Sequence, residues 1–400
     1  VTLCEKGHVG GEQSSRNWGW CRKMGRDPRE IPLSIEALRL WSGMNARIGL
    51  ETGFRTTGIL YLAESEAQMA DRAAWLDYAR PYQLDSRAIG PAEVDALLPG
   101  NTRPYVGAVY TASDGRAEPQ KAAPAIAAAA RAKGAIVLQN CAVRGVETAG
   151  GRVSAVVTER GRIVTSQVVV AGGAWSRLFT LPLGLRLPQL KVRSTVLRTA
   201  PVEGGPTTAG WTNAVAWRKR LDGGYSLANG HGGIADIVPD SFRFFLDFLP
   251  ALRAEWNSLH LRLGARFVEE FLNWRPAALD EVSPYERVRV LDPEPDMKGS
   301  LAAKKAFDAN FPQLAGARVE QHWAGMIDAT PDAVPVISSI DTMPGLFVAT
   351  GFSGHGFGIG PGAGRLMAEL VRGVTPVVDP TPFRFSRFTD GSKPRPIAGL

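Results

Sequence analysis

The stretch GFSGHGFGIGPGAGRLMAELVRG, residues 351–373, constrains this chain more than any other. It follows the apolar run Leu346-Phe347-Val348-Ala349-Thr350 and places glycine at every second or third position up to 364. Glycine is costly in chain entropy, so such a cluster marks a place where backbone approaches something closely. Pro361 is expected at the first helical position. Ala363, Leu366, Met367, Leu370 and Val371 then form one apolar face, and Arg372-Gly373 ends the helix. The spacing therefore predicts a strand, a glycine loop and a helix. A helix N-terminus offers unpaired N–H groups and about half a positive charge, which suits a phosphate or a ring that gains negative charge. The competing reading is a long flexible loop.

The order of elements elsewhere supports the first reading. Residues 1–5 read as a short strand ending in Glu5, residues 30–48 carry helical spacing, and residues 57–63 and 107–111 read as strands. Residues 120–133 are an alanine-rich helix stopped by Gly134. A strand at 135–138 follows, then a meander over 141–171 with turns at Ala149-Gly150-Gly151 and Arg160-Gly161. From 187 to 230 the chain alternates apolar and polar around the hairpin signal Asp222-Gly223-Gly224, predicting antiparallel sheet. Residues 241–263 read as an aromatic-rich helix.

A G-x-G-x-x-G phosphate fingerprint is absent from 351–364. The G-x-G-x-x-A spacing at 230–235 leads into Asp236-Ile237-Val238-Pro239 and not into a helix, so it is read as a decoy. In a nucleotide-binding βαβ unit the second strand ends in an acid that holds the ribose hydroxyls. Glu5 fits that position, and the expectation is that the chain begins at this second strand, without the first strand and its phosphate-binding turn.

Composition narrows the function classes. The net charge of +7 is spread thinly, with Arg218-Lys219-Arg220 the densest spot, so nucleic-acid binding is not expected. No stretch reaches the roughly 18 apolar residues of a membrane span. Cys4, Cys21 and Cys141 suggest neither a disulfide framework nor a zinc site, which points to a reducing, cytoplasmic setting with peripheral membrane contact left open. The histidines at 8, 231, 260 and 322 show no metal spacing, and no metal is assigned.

Four pieces in sequence, the glutamate-ended strand leading to GGEQSSRNWG, the meander closing on VVVAGGAWS, WAGMIDATPDAVPVIS, and ATGFSGHGFGIGPGAGRLMAEL, resemble the D-amino-acid oxidase family of FAD-dependent oxidoreductases. The resemblance spans nearly the whole chain. It implies an α/β fold: an N-terminally incomplete Rossmann-like FAD domain (1–50, 116–182 and 318–390), an antiparallel-sheet substrate domain (51–115 and 183–317) and a tail. It further implies that Glu5 holds the adenosine ribose, that Ser14, Ser15, Arg16 and Asn17 face pyrophosphate and flavin, and that Val143 meets adenine. Ala171, Gly172 and Trp175 would form the turn after the meander. Gly351, Gly354, His355, Gly356, Phe357, Gly358 and Ile359 would line the flavin. After WAG many relatives carry an arginine where this chain has Met326-Ile327-Asp328.

The implied activity is oxidation of the C–N bond of an amino acid or secondary amine, with dioxygen or a quinone as electron acceptor. An amino-acid substrate needs a cation for its carboxylate. Arg22, where some relatives place such an arginine, and Arg218, beside Tyr225 on the predicted hairpin, are the candidates. His355 would touch the ring or pack in the core, and Trp18 and Trp20 would wall the site. The alternatives are a truncated or partner-dependent subunit, and a flavoenzyme for a 2-hydroxy acid. Homo- or hetero-oligomers both remain open.

Overall fold

A computed structural model of the chain describes residues 1–230, 232–256, 259–273 and 277–397. Its largest sheet runs, among the described residues, in the order Leu259–Arg262, Gly233–Asp236, Leu190–Thr199, Tyr225–Asn229, Val215–Lys219, Ala209–Trp211, Ile59–Ala63, Gly107–Thr111, Ser86–Ile89. The long strand Val319–Ala329 pairs antiparallel with Leu190–Thr199 from the other edge. The sheet is mixed and not purely antiparallel as expected: Ala209–Trp211 lies parallel to Ile59–Ala63, and Gly233–Asp236 parallel to Leu259–Arg262. The hairpin at Asp222-Gly223-Gly224 forms as predicted, pairing Val215–Lys219 with Tyr225–Asn229.

Helix Met297–Asn310 covers one face of this sheet. Phe307 on the helix and Phe311 just past its end pack with Trp217, Tyr225, Leu197 and Leu60, all at most 1% exposed. The predicted aromatic helix over 241–263 divides into Pro239–Arg243 and Phe245–Ala254, and its end is the strand Leu259–Arg262. The alternation Leu259-His260-Leu261-Arg262 has the two-residue period of a strand, which outweighs helical continuation. Within the decoy motif His231 lies outside the described residues, and Gly233–Asp236 is a strand and not the start of a helix.

The parallel pairing outside the large sheet is in two pieces. Thr2–Cys4 pairs parallel with Ile136–Leu138, while Val168–Val170 pairs parallel with Leu346–Thr350, which pairs antiparallel with Val336–Ser339. The meander Val143–Ala149, Arg152–Thr158, Gly161–Val164 forms its own antiparallel sheet. Among the described residues no helix is long and apolar enough to cross a membrane.

The glycine-rich segment departs from expectation. Its helix spans Gly356–Arg372, so it starts five residues before Pro361, and the proline sits inside it. Proline lacks the N–H that would bond the carbonyl four residues earlier, a loss near the N-terminus where the helix is held by packing. Tertiary contact explains two of the glycines. A Cβ on Gly358 would lie 2.9 Å from the Trp20 carbonyl oxygen, and one on Gly362 would lie 2.8 Å from the Leu33 carbonyl oxygen. Helix Ile31–Ser42 can therefore press directly against this helix, and Trp41 Nε1 donates to the Gly358 carbonyl at 2.8 Å. Gly364 is different: a Cβ there meets nothing within 4 Å.

Gly362→Ala should lower the stability of the fold by about 1–3 kcal/mol through overpacking. Gly364→Ala, in open helical space, should raise it by up to about 1 kcal/mol. Thermal melts of both variants read the pair, and equal shifts of one sign would contradict this packing account.

Candidate active site

A cavity of about 1270 Å³ lies between the long strand, the start of the glycine helix and the loop after Gln13–Arg16. Its wall combines Gln13, Arg16, Asn17, Trp18 and Trp20 with Gly354, His355, Phe357 and Gly358, and continues past Arg22, Arg26, Tyr61, Arg72 and Trp211.

A buried carboxylate sets the glycine turn. Asp328, at the end of Val319–Ala329, accepts from Gly351 N at 2.6 Å, Thr350 Oγ1 at 3.1 Å and Gln189 Nε2 at 3.4 Å. Burial raises its pKa, opposed by these donors. Three donors on one oxygen hold the chain as it leaves Leu346–Thr350. Gly351 then takes φ +73, where a Cβ would meet Thr330 Cγ2 at 2.3 Å, and Gly354 takes φ +85. Bare backbone therefore forms this part of the wall.

His355 opens the helix and is 6% exposed. Its Nδ1 lies 2.9 Å from Glu30 Oε2. Burial, then the nearby Arg26 charge, lowers the His355 pKa against the opposing pull of Glu30. Trp18 and Trp20 meet edge to face at 5.4 Å. Asn17 braces their loop, accepting from Gly19 N at 2.8 Å and donating to the carbonyls of Gln13 and Ser14 at 3.1 Å.

Arg22 is only partly buried, and its Nη1 donates to the Met24 carbonyl at 2.7 Å and to Tyr61 Oη. Among the described residues no carboxylate pairs with it. Burial, then the neighbouring Arg26, pushes its pKa well down. Arg26 is 4% exposed; its Nε and Nη1 make no hydrogen bond, while its carbonyl accepts from Trp75 Nε1 at 2.8 Å.

Other expected residues fall elsewhere. Arg218 is 1% exposed and wholly committed: Nη1 and Nη2 bond Glu118 at 2.9 and 3.0 Å, and Nε donates to the Trp18 carbonyl. Tyr225 is fully buried in the sheet core, its hydroxyl 3.0 Å from the Pro206 carbonyl. Neither lines the cavity, which corrects their expected contact with substrate. Strand Val215–Lys219 is buried on both faces, so its arginine braces the Trp18 loop from behind. Arg16 reaches the wall, but its guanidinium bonds the Ala324 carbonyl at 2.9 Å and Asp292, in place of the free phosphate contact expected.

Glu5 accepts from Gly7 N at 2.8 Å. Ser15 Oγ donates to the Glu12 carbonyl at 3.3 Å, and Ser14 is exposed. Trp175 Nε1 donates to Glu12, 3.1 and 3.0 Å from its two carboxylate oxygens. Val143 begins the meander, and Ala171 and Gly172 lie exposed after Val168–Val170. Gly351, Gly356 and Ile359 support the wall without lining it.

The wall suits a large planar heteroaromatic group. It offers bare backbone at Gly354, indoles at Trp18 and Trp20, and two polar atoms without a hydrogen bond, Gln13 Oε1 and Trp20 Nε1. A family model described as FAD dependent oxidoreductase (DAO) matches residues 1–370. The chain belongs to the FAD-dependent oxidoreductase family. It is an enzyme family whose cofactor is FAD. Among relatives, the sarcosine oxidase subunit beta of Rhodobacter capsulatus is 27% identical over 398 residues, 98% of this chain and 83% of that subunit. A glycine oxidase of Pseudomonas aeruginosa is 24% identical, covering 96% of this chain and 91% of its own. The solved structure of L-amino acid deaminase from Proteus myxofaciens aligns with TM-score 0.93 at 33% identity, over 97% of this chain and 88% of the deaminase.

Sequence reasoning missed Arg26, Glu30, Tyr61 and Arg72. The signal for one of them was present: in CRKMGRDPRE, Gly25 stands directly before Arg26, its φ of +68 turns the chain, and a Cβ there would lie 2.7 Å from Arg22 Nη1.

Asp114 holds that turn, accepting from Lys23 N at 2.9 Å and Met24 N at 3.1 Å. Burial raises its pKa from 3.8 to about 6 against the pull of Lys23. The fold thus binds this proton more tightly than the unfolded chain. The resulting stabilisation is full below pH 3.8 and is lost as pH rises through about 6. Asp114→Asn should flatten the fall in melting temperature across that window, and an unchanged slope would show that another group sets it.

Proposed function

We propose that this enzyme oxidises the C–N bond of an amino acid or N-alkyl amino acid, with Arg22 binding the substrate carboxylate. The observation that carries the reading is Arg22 itself: a cavity-wall guanidinium with no carboxylate partner among the described residues, ten residues or fewer from the loop that walls the ring. Its Nη1 is fixed by the Met24 carbonyl and Tyr61, which presets the fork for a bidentate anion. The glycine oxidase, sarcosine oxidase and deaminase likenesses support an amine as the group oxidised.

When bound, FAD would supply the two-electron acceptor for the hydride on the carbon bearing the amine, and water would hydrolyse the resulting imine. Trp18, Trp20, Gly354, His355, Phe357 and Gly358 would hold the ring, with Glu5 and Val143 at the adenosine end. The residues of this chain supply position and dryness more than acid–base chemistry. The bond to Glu30 fixes the orientation of the His355 ring, and the tryptophans exclude water. We divide the chain into an FAD-binding part, 1–50, 116–182 and 318–390, and a substrate-binding part, 51–115 and 183–317. Free Cys4, Cys21 and Cys141 agree with a cytoplasmic setting. Dioxygen or a quinone would serve as acceptor, and self-association or a partner subunit is compatible with this reading.

Anaerobic addition of amino acids to the FAD-loaded protein should bleach the visible flavin band with stoichiometric release of ammonia or a primary amine. Arg22→Gln should raise KM by about ten- to a hundredfold, the worth of a charged hydrogen bond. Bleaching by 2-hydroxy acids alone, with no nitrogen product, would replace this reading with alcohol oxidation.

A further inference from the structure

The charged residues of the cavity wall do not balance. Arg16 pairs with Asp292, Lys191 with Glu270 and Asp236 with Arg262. Asp77 pairs with Arg80 in solvent, Asp71 is exposed and Glu255 has an interaction of its own, while Glu30, behind the wall, is engaged by His355. Arg22, Arg26 and Arg72 line the same cavity and have no ion-pair partner among the described residues.

Arg72 is separated from the other two by a pair of aromatic rings. The Arg22 guanidinium lies 5.3 Å from the Tyr61 ring, Tyr61 stands 5.1 Å from Trp211, and the Arg72 guanidinium lies 4.8 Å from Trp211 on its own side. Arg72 is 8% exposed. Its Nη2 donates to Asn213 Oδ1 at 2.9 Å, while Nη1 makes no hydrogen bond. Burial lowers its pKa, with Glu64 and Asp71 pulling the other way from exposed positions. A residue needed only to pack on an indole could be apolar. A buried cation without a carboxylate is costly unless something anionic completes it.

We propose that Arg72 is a second anion subsite, so that the substrate carries two carboxylates: one at Arg22 and Arg26 beside the reacting carbon, the other at Arg72 beyond the Tyr61–Trp211 ledge. This rests on the amino-acid reading above and names the class within it, amines bearing a distal carboxylate. Trp211 and Asn213 orient the distal guanidinium. The ledge carries the apolar chain between the two charges.

The test uses the FAD-loaded protein and the flavin spectrum as a binding readout. Straight-chain dicarboxylates from succinate to suberate are titrated beside monocarboxylates of equal length. One dicarboxylate length should bind about ten- to a hundredfold more tightly than its monocarboxylate. Arg72→Gln should abolish that advantage while leaving monocarboxylate affinity unchanged, and Arg72→Lys should restore part of it. Unchanged monocarboxylate binding also shows that the variant is folded. A wild-type protein with no preference for any dicarboxylate, or a preference that survives in Arg72→Gln, overturns the second subsite and leaves the amino-acid reading standing. Failure to bind either class overturns both.

Discussion

Everything at the cavity depends on the antiparallel ladder between Val319–Ala329 and Leu190–Thr199. It runs from Leu190 opposite Ala329 to Thr199 opposite Val319, with one irregularity at its far end. Along most of its length the long strand is an edge of the large sheet. At its last residues it becomes the support of the glycine turn, because Asp328 sits there and gathers Gly351, Thr350 and Gln189. Register matters for this reason. A slip of one residue would turn Asp328 to the opposite face and leave the buried Gly351 N–H without its acceptor, at a cost of about 1–3 kcal/mol. The ladder thus transmits the position of the large sheet to the glycine backbone of the cavity wall with little freedom.

A second link crosses the same boundary. Arg218 reaches from the core of the large sheet to Glu118, the residue before helix Pro119–Ala132, and to the Trp18 carbonyl. Glu118 also accepts from Leu221 N at 2.9 Å. Burial raises the Glu118 pKa and the Arg218 charge more than offsets it, so the carboxylate stays ionised. Breaking such a pair from one side leaves an uncompensated buried charge. Its place behind the Trp18 loop makes Arg218 a positioning residue.

How much of this was legible in the sequence follows from what each signal encodes. Local periodicity carried the meander, the alanine helix and the hairpin, because each is decided within a dozen residues. The strand–glycine–helix unit was legible too, but not where its helix begins. Pro361 marks an N-terminus when local preference decides, whereas here helix Ile31–Ser42 packs against Gly358 and Gly362 and draws the earlier turn into helix. The Arg218 assignment failed for a related reason. WRKR beside a tight turn resembles an exposed hairpin end, yet Val215–Lys219 is a central strand covered on both faces. Unpaired charge is the least legible feature of all, since a sequence shows which arginines exist and not which carboxylates they meet.

The glycine helix carries a further consequence. Gly356, Gly358, Gly360, Gly362 and Gly364 fall within one helix that also contains Pro361, a composition that would not hold a helix in water. Its first turns exist only because Trp41, Leu33 and Ala37 lie against them, and because Glu30, at the head of helix Ile31–Ser42, bonds His355 at the head of the glycine helix. The two helices therefore order together. Residues 22 to 30 lead directly into the first of them, so the turn that carries Arg22 and Arg26 is tied to the same unit as the glycine backbone of the cavity wall. The two guanidiniums and the wall glycines are then parts of one cooperative element, which keeps them at a fixed separation across the cavity.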